Sequence, residues 1–158
     1  MKAVSLPIGA LTLTGTYQKG DEYTPKELEK MTKAVKKTIK EHTWLQNIKL
    51  PLLGIGGTAR NIAKIDQRKL SYPITKLHNY ELPYHRFHEI LEDVKGKSLE
   101  ARKKISGLSS DRADIIIAGL TIVDELFNYV NTKTLVVGGC GLREGLLSLI
   151  HISEPTRP

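Results

Sequence analysis

The stretch that most constrains this chain is residues 54–65, GIGGTARNIAKI, a glycine turn held between an apolar run and an amphipathic pattern. Residues 50–55, with Pro51 near their start, read as a short buried strand. Gly54, Gly56 and Gly57 then remove side chains where the backbone turns, and Thr58, Ala59, Arg60, Asn61, Ile62 and Ala63 begin a helical spacing. That order leaves a row of backbone N–H groups without partners at the positive end of a helix dipole, with Arg60 one turn in. Such a place suits a phosphate. A tight strand-to-helix crossover also needs glycine for geometry alone, so the corner by itself leaves both readings open.

Two further glycine-bearing stretches add to it: GLSSDRADIIIAGL at 107–120 and GGCGLREGLL at 138–147. Thr134 to Val137 reads as a strand, and Gly138, Gly139 and Gly141 lead through Leu142, Arg143 and Glu144 into another helix start. Two such turns, if their strands are parallel neighbours, sit side by side at the carboxyl edge of the sheet, where α/β folds bind ligands. In the first of the two stretches Ser110 is placed to cap a helix over 113–130, with Asp111 and Asp114 in its first turn. Arg112 and Asp114 are candidates either for a pair across a cleft or for a plain structural ion pair.

The rest of the chain punctuates clearly. Residues 3–17 alternate Val4, Leu6, Ile8, Leu11 and Leu13, with Pro7 and Gly9 as a bend, and read as one or two strands. Thr24, Pro25 and Glu27 make a capping box, and Leu28, Met31, Val35 and Ile39 supply the apolar face of the helix that follows. Residues 58–67 are expected to be helical and 69–78 irregular; Phe87, Ile90, Leu91 and Val94 predict a helix over 84–94. Ser98 starts a short basic helix over 99–105. His85 and His88, three apart on a helix that also carries Glu89, can share a face, but no further ligand is signalled for the histidine pair, and a partly exposed surface explains it better than a metal.

The 158 residues carry 40% hydrophobic and 26% charged side chains, as a one-domain globular chain does. No run is long enough for a membrane span, no secretion signal opens the chain, and the single Cys140 fits a reducing cytoplasm. The net charge of +7 owes much to Lys26, Lys30, Lys33, Lys36, Lys37 and Lys40, spaced along one helix. A solvated face explains that spacing better than a binding stripe, and no aromatic residues interleave to stack bases, so nucleic acid is not the expected partner.

Together with SLPIGALTLT at 5–14, the three glycine stretches resemble, in order and spacing, the second lobe of the exopolyphosphatase / guanosine pentaphosphate phosphohydrolase (Ppx/GppA) family. The resemblance covers about residues 3–146. It implies an α/β fold, the ribonuclease H-like second lobe of the actin-like ATPase fold, truncated at both ends. In the family this lobe opens with a glycine-rich strand carrying an aspartate, central to its sheet and flanked by the strands represented here by 3–17 and 50–55. That strand and the first lobe before it have no counterpart in this sequence. The resemblance also implies removal of a terminal phosphate from polyphosphate or guanosine pentaphosphate with Mg2+, and a homodimer in the full-length protein. The family's water-activating glutamate and metal-linked aspartates map onto no residue here, so no catalytic residue or metal ligand is assigned and the chain alone is expected to be inactive. What remains is a set of donors for a phosphate chain or nucleotide: Gly56, Gly57, Thr58 and Arg60, with Gly138, Gly139 and Arg143 as a second set.

Two other readings stay in view. One is a lobe of another actin-like-fold ATPase or a sugar kinase; the other is a non-enzymatic basic module that binds polyanions. Residues 1–146 are taken as the partial lobe. Residues 147–158 look like an extraneous, adapter-derived tail, and no function is given to His151 or Arg157.

Overall fold

The computed structural model describes residues 2–46, 48–71, 76–139 and 141. Its first helix overturns an expectation. Residues 10–17 form α1 (Ala10–Tyr17) where alternation predicted strand. A short apolar run does not distinguish the two states by itself, and packing of α1 against the long helix at Ile116–Val130 decides the matter. Thr16 in this helix donates its hydroxyl to the Thr12 carbonyl at 2.8 Å. The strand expected at one side of the sheet is therefore absent from 3–17 among the described residues.

The second helix, α2 (Pro25–Lys40), forms as its sequence dictates. Thr24 accepts from the Glu27 amide and Glu27 accepts from the Thr24 amide, so the capping box closes in both directions. Met31, Val35 and Ile39 are buried, and all six lysines named above lie on the exposed side. The chain then enters β1 (Leu52–Gly54), shorter than the expected 50–55, and α3 (Gly57–Lys69), which starts one residue earlier than its pattern and runs two further.

The irregular connection after α3 is followed by β2 (Tyr80–Pro83) and α4 (Tyr84–Lys95), then α5 (Leu99–Lys103) under a Ser98 cap. β2 is an unforeseen strand. Tyr80 and Leu82 point inward while Glu81 points out, and Pro83 ends it at the sheet's edge, where a missing N–H does no harm. Before α6 (Ile116–Val130) the chain makes a tight turn at Ser110–Arg112, so Ser110 does not cap the long helix as expected. Asp114 instead accepts from the Ile115 amide at 2.9 Å. The last described strand, β3 (Thr134–Val137), is where the sequence placed it.

The three strands form one sheet in the order β1-β3-β2, with β1 parallel and β2 antiparallel to the central β3. Helix α6 packs against α1, α2, α3 and α4 and is buried on most sides, which explains why its sequence is apolar nearly all round. Phe127 on α6 meets Tyr84 and Phe87 of α4 with ring centroids 5.1 Å away in both cases. A polar tie crosses the same core: buried Asp66 of α3 accepts from the Tyr80 hydroxyl at 2.6 Å and pairs with Arg86 at 3.4 Å. Among the described residues no helix is long and apolar enough to cross a membrane.

Candidate functional site

Parallel pairing of β1 with β3 brings the two glycine turns together. Leu52 stands opposite Leu135 and Gly54 opposite Val137, so both strands leave the sheet at the same level. The Gly138 amide donates to the Gly54 carbonyl at 2.8 Å, carrying the ladder one residue beyond the strands. A side chain at Gly54 would strike Ala59 and Leu135, so close packing requires that glycine. Gly56 sits at φ +106°, a conformation that favours glycine, and turns the chain into the first residue of α3. The opening amides of α3, at Gly57, Thr58 and Ala59, lack intrahelical partners by helix geometry and face the turn.

Two guanidinium groups meet this corner. Arg60 reaches across and donates to the Gly139 carbonyl at 3.2 Å, joining one glycine turn to the other. Arg112, from the tight turn before α6, lies over Gly57: its Cζ is 2.9 Å from where a Cβ on Gly57 would stand. The expected Arg112–Asp114 pair is not formed among the described residues; Asp114 is occupied with the backbone instead. Thr58 is held by α6, whose Gly119 leaves room for the Thr58 side chain, 2.8 Å from the site of an added Cβ. Behind the second turn His78 accepts from the Gly139 amide through Nδ1 at 3.2 Å.

The structure thus gathers Gly56, Gly57, Thr58, Arg60, Gly138 and Gly139 in one place, at the carboxyl edge of the sheet. Arg143 lies outside the described residues, as do Cys140, Glu144 and the 147–158 segment. Arg112 and His78 were not singled out for the site by sequence. The signal for Arg112 was its place beside Asp111 at the head of an apolar helix; for His78 there was none, because its contact spans 61 residues. The arrangement is chemically one-sided. Amide N–H groups, a helix's positive end and guanidinium groups favour an anion with several oxygens.

That chemistry can now be set beside known proteins. The sequence model of the Ppx/GppA phosphatase family matches residues 1–152. The chain belongs to the Ppx/GppA phosphatase family. A crystal structure of the Aquifex aeolicus Ppx/GppA family member superposes with a TM-score of 0.81 at 26% identity, over 98% of this chain and 51% of that one. An exopolyphosphatase from Cytophaga hutchinsonii gives the same TM-score at 18% identity over 94% of this chain and 49% of its own, a likeness of fold. The bifunctional 3-dehydroquinate synthase/phosphatase of Fusobacterium nucleatum is 25% identical over 139 residues, 86% of this chain and 21% of that protein. This Ppx/GppA chain therefore has the α/β, actin-like ATPase fold of those structures and spans about half the length of the solved relatives.

Among the described residues a Mg2+ ion finds no ligand set in this corner. Magnesium takes oxygen ligands, usually carboxylates and phosphates, whereas the corner offers N–H donors and positive charge. Among the described residues no three of His, Cys, Asp and Glu come together as a metal group, and His85 and His88 of α4 are exposed.

Proposed function

We propose that the glycine corner holds the phosphate chain of a substrate whose terminal phosphate is removed by hydrolysis, with inorganic polyphosphate or guanosine pentaphosphate as that substrate. The observation that carries this reading is the meeting of two parallel-strand turns, the N-terminus of α3 and the Arg60 and Arg112 guanidinium groups at one point. Membership of a phosphatase family, with an exopolyphosphatase among the structural relatives, points the same way.

Phosphoanhydride hydrolysis asks a protein for two things: an oriented water with a carboxylate beside it, and positive groups on the phosphoryl oxygens. This chain supplies the second. The amides of Gly57 and Thr58 donate to phosphate oxygens, Arg112 adds charge above Gly57, and Arg60 keeps the second turn, Gly138 and Gly139, level with the first. The water-activating carboxylate belongs to the part of the longer protein not represented here, so the 158 residues bind without turning over.

Titrating the chain with tripolyphosphate tests this. Micromolar binding is expected to weaken about tenfold in Arg112→Ala, the cost of one charged hydrogen bond. Arg60→Ala is expected to lose at least as much, because it also frees the second turn. Equal affinity of all three proteins would return both arginines to purely structural roles.

A further inference from the structure

A cleft of about 390 Å3 lies elsewhere on α3, between the helix and the loop at 106–109. Lys64, Gln67, Arg68, Ser106, Gly107 and Ser109 line it, and among the described residues neither a carboxylate nor an aromatic ring is in its walls. Lys64 and Arg68 are four residues apart, so they share a helix face, and both are exposed. Neither has an ion pair or side-chain hydrogen bond among the described residues, whereas the adjoining Lys69 pairs with Asp93 at 3.5 Å. The helix dipole accounts for a cation at Arg68, in the last turn of α3, but gives Lys64 nothing in mid-helix.

The cleft is tied rigidly to the glycine corner. Gly107, at φ +94°, lies so close that a Cβ there would stand 2.6 Å from the Lys64 carbonyl, so the loop rests on the helix backbone itself. Buried Asn61 accepts from the Ser109 amide at 2.8 Å and donates to the Gly57 carbonyl at 2.8 Å. Three residues beyond Ser109, Arg112 covers Gly57. One loop therefore borders both places. Along the axis Lys64 stands about 10 Å and Arg68 about 16 Å from Gly57, at 1.5 Å per residue.

We infer that this cleft is a second subsite for the same phosphate chain, holding phosphates several units behind the one seated at the glycine corner. The inference rests on the functional reading above and adds a chain-length preference to it. Two hydroxyl side chains and two cations without carboxylate partners match a run of phosphate oxygens. The lack of an aromatic wall favours an inorganic chain over RNA, whose bases would find nothing to stack on. A ligand of two or three phosphates seated at the corner does not reach across the separation; a long one does.

The experiment compares binding of long-chain linear polyphosphate and tripolyphosphate to the 158-residue chain at one fixed ionic strength. The cleft variant is Lys64→Gln with Arg68→Gln, both exposed positions where glutamine keeps helix propensity. Lys30→Gln with Lys37→Gln removes the same charge from the exposed face of α2. The cleft variant is expected to bind the long chain at least about tenfold more weakly while tripolyphosphate stays within about twofold, and the α2 variant is expected to match wild type within about twofold. Equal loss for both ligands, equal loss in both variants, or the same loss for single-stranded RNA would overturn the subsite in favour of a general positive field. Wild-type binding of both ligands with no loss in the cleft variant overturns the subsite alone. Failure of the wild-type chain to bind either ligand overturns the functional reading and the subsite with it.

Discussion

Two glycines contacted by different kinds of atom should respond oppositely to the same substitution. Gly57 is helical, and the atoms nearest an added methyl are those at the far end of the Arg112 side chain, which can swing away. Gly57→Ala is therefore expected to change stability by no more than about 1 kcal/mol while weakening tripolyphosphate binding about tenfold, because the guanidinium is displaced. Gly107 combines φ +94° with backbone atoms of Lys64 and Ile65 within 2.7 Å of an added Cβ, and those atoms cannot yield cheaply. Gly107→Ala is expected to cost about 2–4 kcal/mol in chemical denaturation. A similar loss of stability in both variants would mean that Arg112 is fixed in place. Arg102 marks the limit of reading single residues from sequence. It sits in a basic stretch that looks solvated, yet it is wholly buried and donates to the carbonyls of Ala113 and Asp21 at 2.9 and 3.1 Å. Burial pushes its pKa down, opposed by nearby Tyr23 and Asp114. Nothing in its own neighbourhood of the chain announces partners 11 and 81 residues away.

Among the elements, β1 carries a liability. It ends the described sheet, and Leu53 on it stands 65% exposed, with Leu50 and Ile55 just outside its two ends at 62% and 59%. An open strand edge with apolar side chains is a template for pairing with another strand. The chain is expected to self-associate as concentration rises, and Leu53→Lys is expected to suppress this in sedimentation or light scattering without lowering the melting temperature. Unchanged association would place the contact elsewhere. Elements whose signals are local were legible in sequence: the α2 capping box is written in Thr24, Pro25 and Glu27, and the α4 face in Phe87, Ile90, Leu91 and Val94. Where two states compete, tertiary packing decided. Residues 10–17 alternate like a strand but become a helix because α6 offers a surface for them. β2 escaped notice because a four-residue strand ending in proline exists only by pairing with β3, distant in sequence.

At the scale of the whole molecule, the site was legible to the extent that repeated strand–glycine–helix signals imply adjacent turns, which the parallel β1–β3 pairing provides. The convergence of Arg112 and of the 106–109 loop on α3 was not legible, because it depends on how α6 packs. That same packing sets the molecule's response to pH. Glu125 of α6 is buried beside α2, near Lys36, Ile39, Lys40, Asn128 and Tyr129. Burial raises its pKa above the ordinary carboxyl value of 4.5; Lys36, Lys40 and Lys95 pull it down and Asp124 pushes it up, and burial outweighs the lysines. The folded state then binds the Glu125 proton more tightly than the unfolded chain does. Its stabilising contribution is complete below the unfolded carboxyl range and is lost as pH rises through the raised folded value. Above that raised value the ionised carboxylate works against the α2–α6 contact. Glu125→Gln, which mimics the protonated form, is therefore expected to melt higher than wild type at neutral pH, and the gap is expected to close as the pH falls below the ordinary carboxyl range. A variant that melts lower at neutral pH would mean that attraction to Lys36 and Lys40 exceeds the cost of burial and that the carboxylate fastens the two helices.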